Sequence, residues 1–81
     1  MSTHEPSELL AAFGRAVRSL RVARGLSQER LAEAAGIHRT YVGDVERGLR
    51  NEGLINVYRL ADALATDLVG LMSEVERERR R

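Results

Sequence analysis

The residues in this 81-residue chain best equipped for chemistry are its thirteen basic side chains, every one an arginine. A guanidinium carries five N–H donors in a planar fork, a shape that suits phosphate oxygens and the edge of guanine. The net charge of +1 hides how these groups are placed. Residues 9–51 hold eight arginines against four carboxylates, a balance of +4, whereas residues 52–76 hold one against five, a balance of −4. Residues 1–8 carry −2 and residues 77–81 carry +3. A basic half beside an acidic half implies one side that faces a polyanion and another that meets something else.

Other chemistries are poorly supplied. With no cysteine, disulfide scaffolds, thiolate zinc sites and thiol nucleophiles are excluded, and a reducing compartment is permitted. Ser, His and Asp are present, but nothing orders them as nucleophile and base, and a thin helical domain offers no sizeable water-excluding pocket; no enzyme is expected. The two histidines lack a carboxylate cluster, so neither metal nor cofactor is expected. No apolar run approaches the roughly 18 residues that cross a bilayer, and the start Met-Ser-Thr-His-Glu-Pro is no signal peptide. The expected location is the cytoplasm, with no membrane partner. Hydrophobic residues at 43% and charged residues at 31% fit one soluble domain, with no room for a separate sensor and hence no small-molecule ligand.

The elements that must carry these side chains read as helices. Aromatics are only 4% and no stretch alternates with period two. Leu10, Phe13, Val17 and Leu20 step at helical spacing, with Pro6 and Ser7 as start signals and Gly25 as the stop. Ser27 is a good N-cap for a second, short helix with Leu31, Ala32 and Ala35 inside, and Gly36 suits its left-handed end. Val42 and Val45 mark a third helix from His38 to Arg47. Val57, Leu60, Ala61 and Leu64 mark a fourth, and Asp67 caps a fifth with Leu68, Leu71, Met72 and Val75. The division is a flexible segment 1–7, a domain 8–73 and a charged tail 74–81. The tail either extends the last helix or frays, and fraying is the default.

Two charges break the pattern. Arg21 follows Val17 by four residues, and Glu46 follows Val42 by four, so both lie on core-facing stripes. An unpaired buried charge is very costly, and the pair is expected to meet across the helices. The second and third helices are separated by only Gly36, Ile37 and His38. So tight a connection forces a steep crossing, the geometry of a helix-turn-helix over residues 27–47. The third helix then projects as a ridge, and a major groove about 12 Å wide admits one such helix.

The run Gly25-Leu26-Ser27-Gln28-Glu29-Arg30-Leu31-Ala32 through Ala35-Gly36-Ile37 to Glu46-Arg47-Gly48 resembles the Cro/CI-type helix-turn-helix regulators, also called the xenobiotic-response-element family. The likeness extends from the first helix through Met72 and includes Leu60-Ala61-Asp62-Ala63-Leu64. It implies an all-α, compact five-helix domain of the lambda-repressor-like type. Within that family, His38-Arg39-Thr40-Tyr41-Val42 followed by Glu46-Arg47-Gly48-Leu49-Arg50-Asn51 is similar to the controller proteins of restriction–modification systems.

The resemblance assigns roles to residues. Gln28 grips a phosphate at a helix N-terminus, and Arg39 and Thr40 reach base edges. Tyr41 lies against backbone or a groove edge, or packs on the second helix. Gly43 and Asp44 sit one turn further along, Asp44 either accepting from a cytosine amino group or pairing with a neighbouring arginine. Arg47, Arg50 and Asn51 form a phosphate clamp. His38 borders the same surface, and capping the third helix is its preferred reading. The chain departs from the family pattern at Glu52-Gly53, where proline-serine is usual, at Ala65, where glycine is common, and at Thr66, where an apolar residue is common.

One helix-turn-helix offers only about 600–1,000 Å² to DNA, so a homodimer on a palindromic operator in double-stranded DNA is expected. Ile55, Tyr58 and Leu68 are the candidate interface. The expected function is a bacterial or phage transcriptional regulator, at the nucleoid when bound to DNA, and the narrower resemblance implies an autoregulating restriction–modification controller. The alternative is an antitoxin that masks a toxin through its acidic helices and binds DNA secondarily.

Overall fold

Proline is well placed in the first turn of a helix, where its missing N–H has no partner to lose, and Pro6 opens the first helix of this protein. The computed structural model describes residues 5–81 and contains α1 (Pro6–Ala23), α2 (Gln28–Ala35), α3 (Arg39–Glu46), α4 (Leu54–Ala63) and α5 (Leu68–Arg79), with no strand among the described residues. Pro6 and Ser7, expected in a leading flexible segment, are therefore the first turn of α1; residues 1–4 of that segment lie outside the described residues.

The link between α2 and α3 is built by its end residues. The Ser27 hydroxyl accepts from the Arg30 amide at 3.0 Å and opens α2. Gly36 closes α2 at φ 72°, a conformation that a β-carbon penalises, and the Ile37 amide turns back to the Ala32 carbonyl at 2.9 Å. His38 occupies the N-cap position of α3, but its side chain makes no capping bond, contrary to the sequence expectation. The backbone alone starts the helix, Val42 N–H donating to the His38 carbonyl at 3.2 Å.

The α4–α5 link holds a non-glycine residue in a left-handed backbone conformation. Ala65 sits at φ 57°, the left-handed conformation that glycine adopts freely, and it stands where glycine is common in this type of sequence. Arg24 at the end of α1 holds this bend, its Nη2 donating to the Ala65 carbonyl at 2.9 Å. Asp67 then caps α5 by accepting from the Gly70 amide at 2.8 Å.

The core gathers one face of every helix. Val17, Leu31, Val42, Val45, Leu60, Leu64 and Leu71 are fully buried, each worth about 1.5–3 kcal/mol relative to exposure. α1 lies on α3 and α5, while α2 lies on α3 and α4. Where α1 meets α3 the backbones nearly touch: a β-carbon on Gly14 would fall 2.6 Å from the Glu46 carbonyl oxygen.

The charged tail does not fray over most of its length. α5 runs to Arg79, and Glu78 is only 4% exposed, because Arg15 on α1 donates from Nε to its carboxylate at 3.1 Å and from Nη2 to its carbonyl at 3.2 Å. Burial against α1 supplies the anchor that the segment's own sequence lacks.

Candidate nucleic-acid interface

A reading surface needs a helix whose inner face is fixed and whose outer face is free. α3 meets both conditions. Val42 and Val45 point into the core, while Arg39 and Thr40 are exposed on the other side. Gln28, Arg39, Thr40, Gly43 and Arg47 together line a depression of about 190 Å³ between the start of α2 and α3. Five of the residues singled out in the sequence thus share one hollow. Gly43 contributes by what it lacks, since a β-carbon there would meet nothing closer than the Gln28 Oε1 at 3.8 Å.

The support behind this hollow is ionic. Arg21 donates to Glu46 from Nε at 2.6 Å and from Nη2 at 3.0 Å, and from Nη1 to the Leu26 carbonyl at 2.8 Å. Its hydrogen bonds to Glu46 hold the guanidinium pKa above the usual arginine value, against the opposing effect of burial. Glu46 Oε1 also accepts from Gln28 Nε2 at 3.0 Å, a link the sequence reading lacked. The start of α2, the end of α3 and the last turn of α1 are therefore joined through one carboxylate. The second Nε2 hydrogen of Gln28 remains for an outside acceptor.

Tyr41 is turned away from the hollow. It is half-buried and packs against the core, and its hydroxyl donates to Glu52 and accepts from Asn56 Nδ2 at 2.7 Å, so it ties α3 to the start of α4. Burial first, and then the hydrogen bond to the Glu52 carboxylate, hold its pKa above the usual phenol value. The Arg50 guanidinium lies over its ring, 4.3 Å from the centroid. Asp44 takes the second of its two expected arrangements: its Oδ1 lies 2.5 Å from Arg47 Nη2 and its Oδ2 lies 3.7 Å from Arg50 Nε. Asn51 is exposed at the edge of a different, apolar hollow with Leu9, Leu10 and Phe13, apart from the one at Gln28. In the sequence Glu52 stands out only as a departure from the family pattern and Asn56 not at all, and their spacing carries no signal that one tyrosine hydroxyl would join them.

The residues expected at a dimer contact divide. Ile55 is 69% exposed and Tyr58 is 47% exposed on α4. Leu68 is half-buried, and its neighbour Val69, at 74% exposed, takes the outward position, with Leu54 at the start of α4 also exposed. No helix among the described residues is long and apolar enough to cross a membrane.

A family model described as helix-turn-helix matches residues 17–71. The control protein C.SmaI of Serratia marcescens is 51% identical over 57 residues, which cover 70% of this chain and 68% of that protein. The crystal structure of the restriction-modification controller protein C.AhdI from Aeromonas hydrophila matches with a TM-score of 0.75 at 52% identity, over 76% of this chain and 94% of the other. The restriction-modification controller protein C.Esp1396I, crystallised as a tetramer in complex with its natural 35 base-pair operator, matches with a TM-score of 0.84 at 25% identity, over 90% and 96% of the two chains.

Proposed function

The chain belongs to the helix-turn-helix family whose model spans residues 17–71, and from that premise we propose that it is a homodimeric, sequence-specific regulator of transcription that controls a restriction–modification operon. The observation that carries this reading is the hollow shared by Gln28, Arg39, Thr40, Gly43 and Arg47, which sets arginine forks and a helix N-terminus around one outward-facing helix. The relatives described above are control proteins, so the toxin-masking alternative is not carried forward.

In this reading α3 enters the major groove. Arg39 bridges guanine O6 and N7, and the Thr40 methyl meets a thymine methyl. Gln28 donates to a phosphate held by the positive end of the α2 dipole. Arg47, Arg50 and Asn51 face backbone phosphates and set the register without reading sequence. Two copies place their α3 helices about 34–36 Å apart on half-sites of a rough palindrome. Ile55 and Tyr58, with Leu68 and its exposed neighbour Val69, form the face between copies. The protein acts in the cytoplasm, on the nucleoid when bound.

Mobility shift with the chain's own upstream DNA tests the assignment. Arg39→Ala should lose about 1–3 kcal/mol of specific binding and relax the preference at one base pair per half-site. Arg47→Ala should weaken every sequence alike and lower the salt slope by about one per subunit. An unchanged specificity ratio in Arg39→Ala rules out α3 as the reading helix.

A further inference from the structure

A carboxylate on a surface that meets DNA repels phosphate, which makes Asp44 the odd residue on α3. Its surroundings resolve the oddity. Each oxygen of Asp44 faces a different arginine, Oδ1 at 2.5 Å from Arg47 Nη2 and Oδ2 at 3.7 Å from Arg50 Nε. Arg50 is held on a second side as well, its guanidinium stacked 4.3 Å from the centroid of the Tyr41 ring. That ring is in turn fixed by Glu52 and Asn56 at the start of α4. The carboxylate is 24% exposed, while the Arg47 and Arg50 side chains are 66% and 48% exposed. The acid is thus the recessed centre of the group, with its cations outermost.

We infer that Asp44 is a positioning residue: it holds Arg47 and Arg50 in place for backbone phosphates and reads no base itself. Long arginine side chains lose considerable rotamer freedom when they bind. A carboxylate that restrains two of them in the free protein removes part of that loss before DNA arrives. The trio keeps a charge of +1, so the restraint leaves the surface attractive to phosphate. Arg50 extends from the loop after α3 and Arg47 from the end of α3 itself, so one carboxylate also sets the spacing between the two clamps. The inference rests on the DNA-binding reading above.

The test uses the full chain and its own operator, with Asp44→Ala, Asp44→Asn and Asp44→Glu compared with the unsubstituted protein. Positioning predicts that Asp44→Ala and Asp44→Asn bind about threefold more weakly per subunit, or about tenfold for a dimer, on specific and random DNA alike and with a shallower salt dependence. Asp44→Glu should recover most of the loss. In an Arg47→Ala, Arg50→Ala background, Asp44→Ala should have no further effect. Circular dichroism melting of each variant separates a binding loss from a folding loss, and Asp44→Asn keeps the side chain's shape. Binding as tight as or tighter than that of the unsubstituted protein, with a steeper salt dependence, overturns the inference and leaves Asp44 a source of repulsion only. Loss of preference at one base pair with random-DNA binding intact also overturns it, in favour of base reading. If the unsubstituted protein binds no DNA at all, the functional reading fails first and the inference falls with it.

Discussion

Arg21 and Glu46 meet at 2.6 Å between α1 and α3, with their side chains 13% and 4% exposed. Removing one partner strands a nearly buried charge, whereas replacing both leaves none. Arg21→Ala should therefore cost about 3–5 kcal/mol, and the double variant Arg21→Met, Glu46→Leu should recover most of it. Urea unfolding followed by helical circular dichroism reads both. A single-variant cost below about 1 kcal/mol would mean that water screens the pair as it does on a surface.

Gly14 sits where the backbones of α1 and the end of α3 approach closely. A β-carbon there would lie 2.6 Å from the Glu46 carbonyl oxygen and 2.9 Å from its carbon, and backbone cannot swing aside as a flexible side chain does. Gly14→Ala should push α1 off the end of α3 and destabilise the fold by about 3 kcal/mol. The same melts should show no comparable loss for Gly53→Ala, where the space for a β-carbon is open.

Ala65 offers the opposite sign. An alanine at φ 57° pays about 1–2 kcal/mol for its β-carbon, part of which glycine returns as unfolded-state entropy. Ala65→Gly should therefore raise stability by about 0.5–1 kcal/mol, visible as a higher urea midpoint. A lower midpoint would show that the Arg24 hydrogen bond to this carbonyl depends on the alanine.

The Tyr41 phenol gives the fold an alkaline limit. Burial, then its hydrogen bond to Glu52, holds its pKa above the usual value, so the folded chain binds the phenolic proton more tightly than the unfolded chain does. The resulting stability is complete below the ordinary phenol pKa of about 10 and is lost as pH rises through the folded value. Unfolding free energies measured from about pH 9 upwards should fall more steeply for the unsubstituted protein than for Tyr41→Phe. Parallel slopes would place this hydroxyl in water.

Helices α1 to α4 were legible because their apolar residues repeat with the helical period and their ends carry Ser27, Gly25 and Gly36. The Arg21–Glu46 pair was legible for a related reason, as two opposite charges on stripes otherwise reserved for the core. What stayed hidden depended on distance along the chain. The last turn of α5 is fixed by Arg15, 63 residues before Glu78, and no local pattern near the terminus signals that anchor. Tyr41 could be placed on α3, but the direction of its hydroxyl is set by Glu52 and Asn56 on a later segment. Leu68 and Val69 are adjacent and similar in character, so which of them faces outward shows only once α5 is packed through Leu71 and Val75.

The single carboxylate of Glu46, shared by Arg21 and Gln28, divides the helix-turn-helix into a fixed frame and a replaceable face. Positions 39, 40 and 43 press little on that frame, two being exposed and the third a glycine where a β-carbon would make only ordinary contact with Gln28 Oε1 at 3.8 Å. On the DNA-binding reading proposed above, exchanges at these three positions should alter which DNA is preferred while leaving the fold's stability nearly unchanged. On that reading, a change of target needs few steps, and each can pass through a folded intermediate.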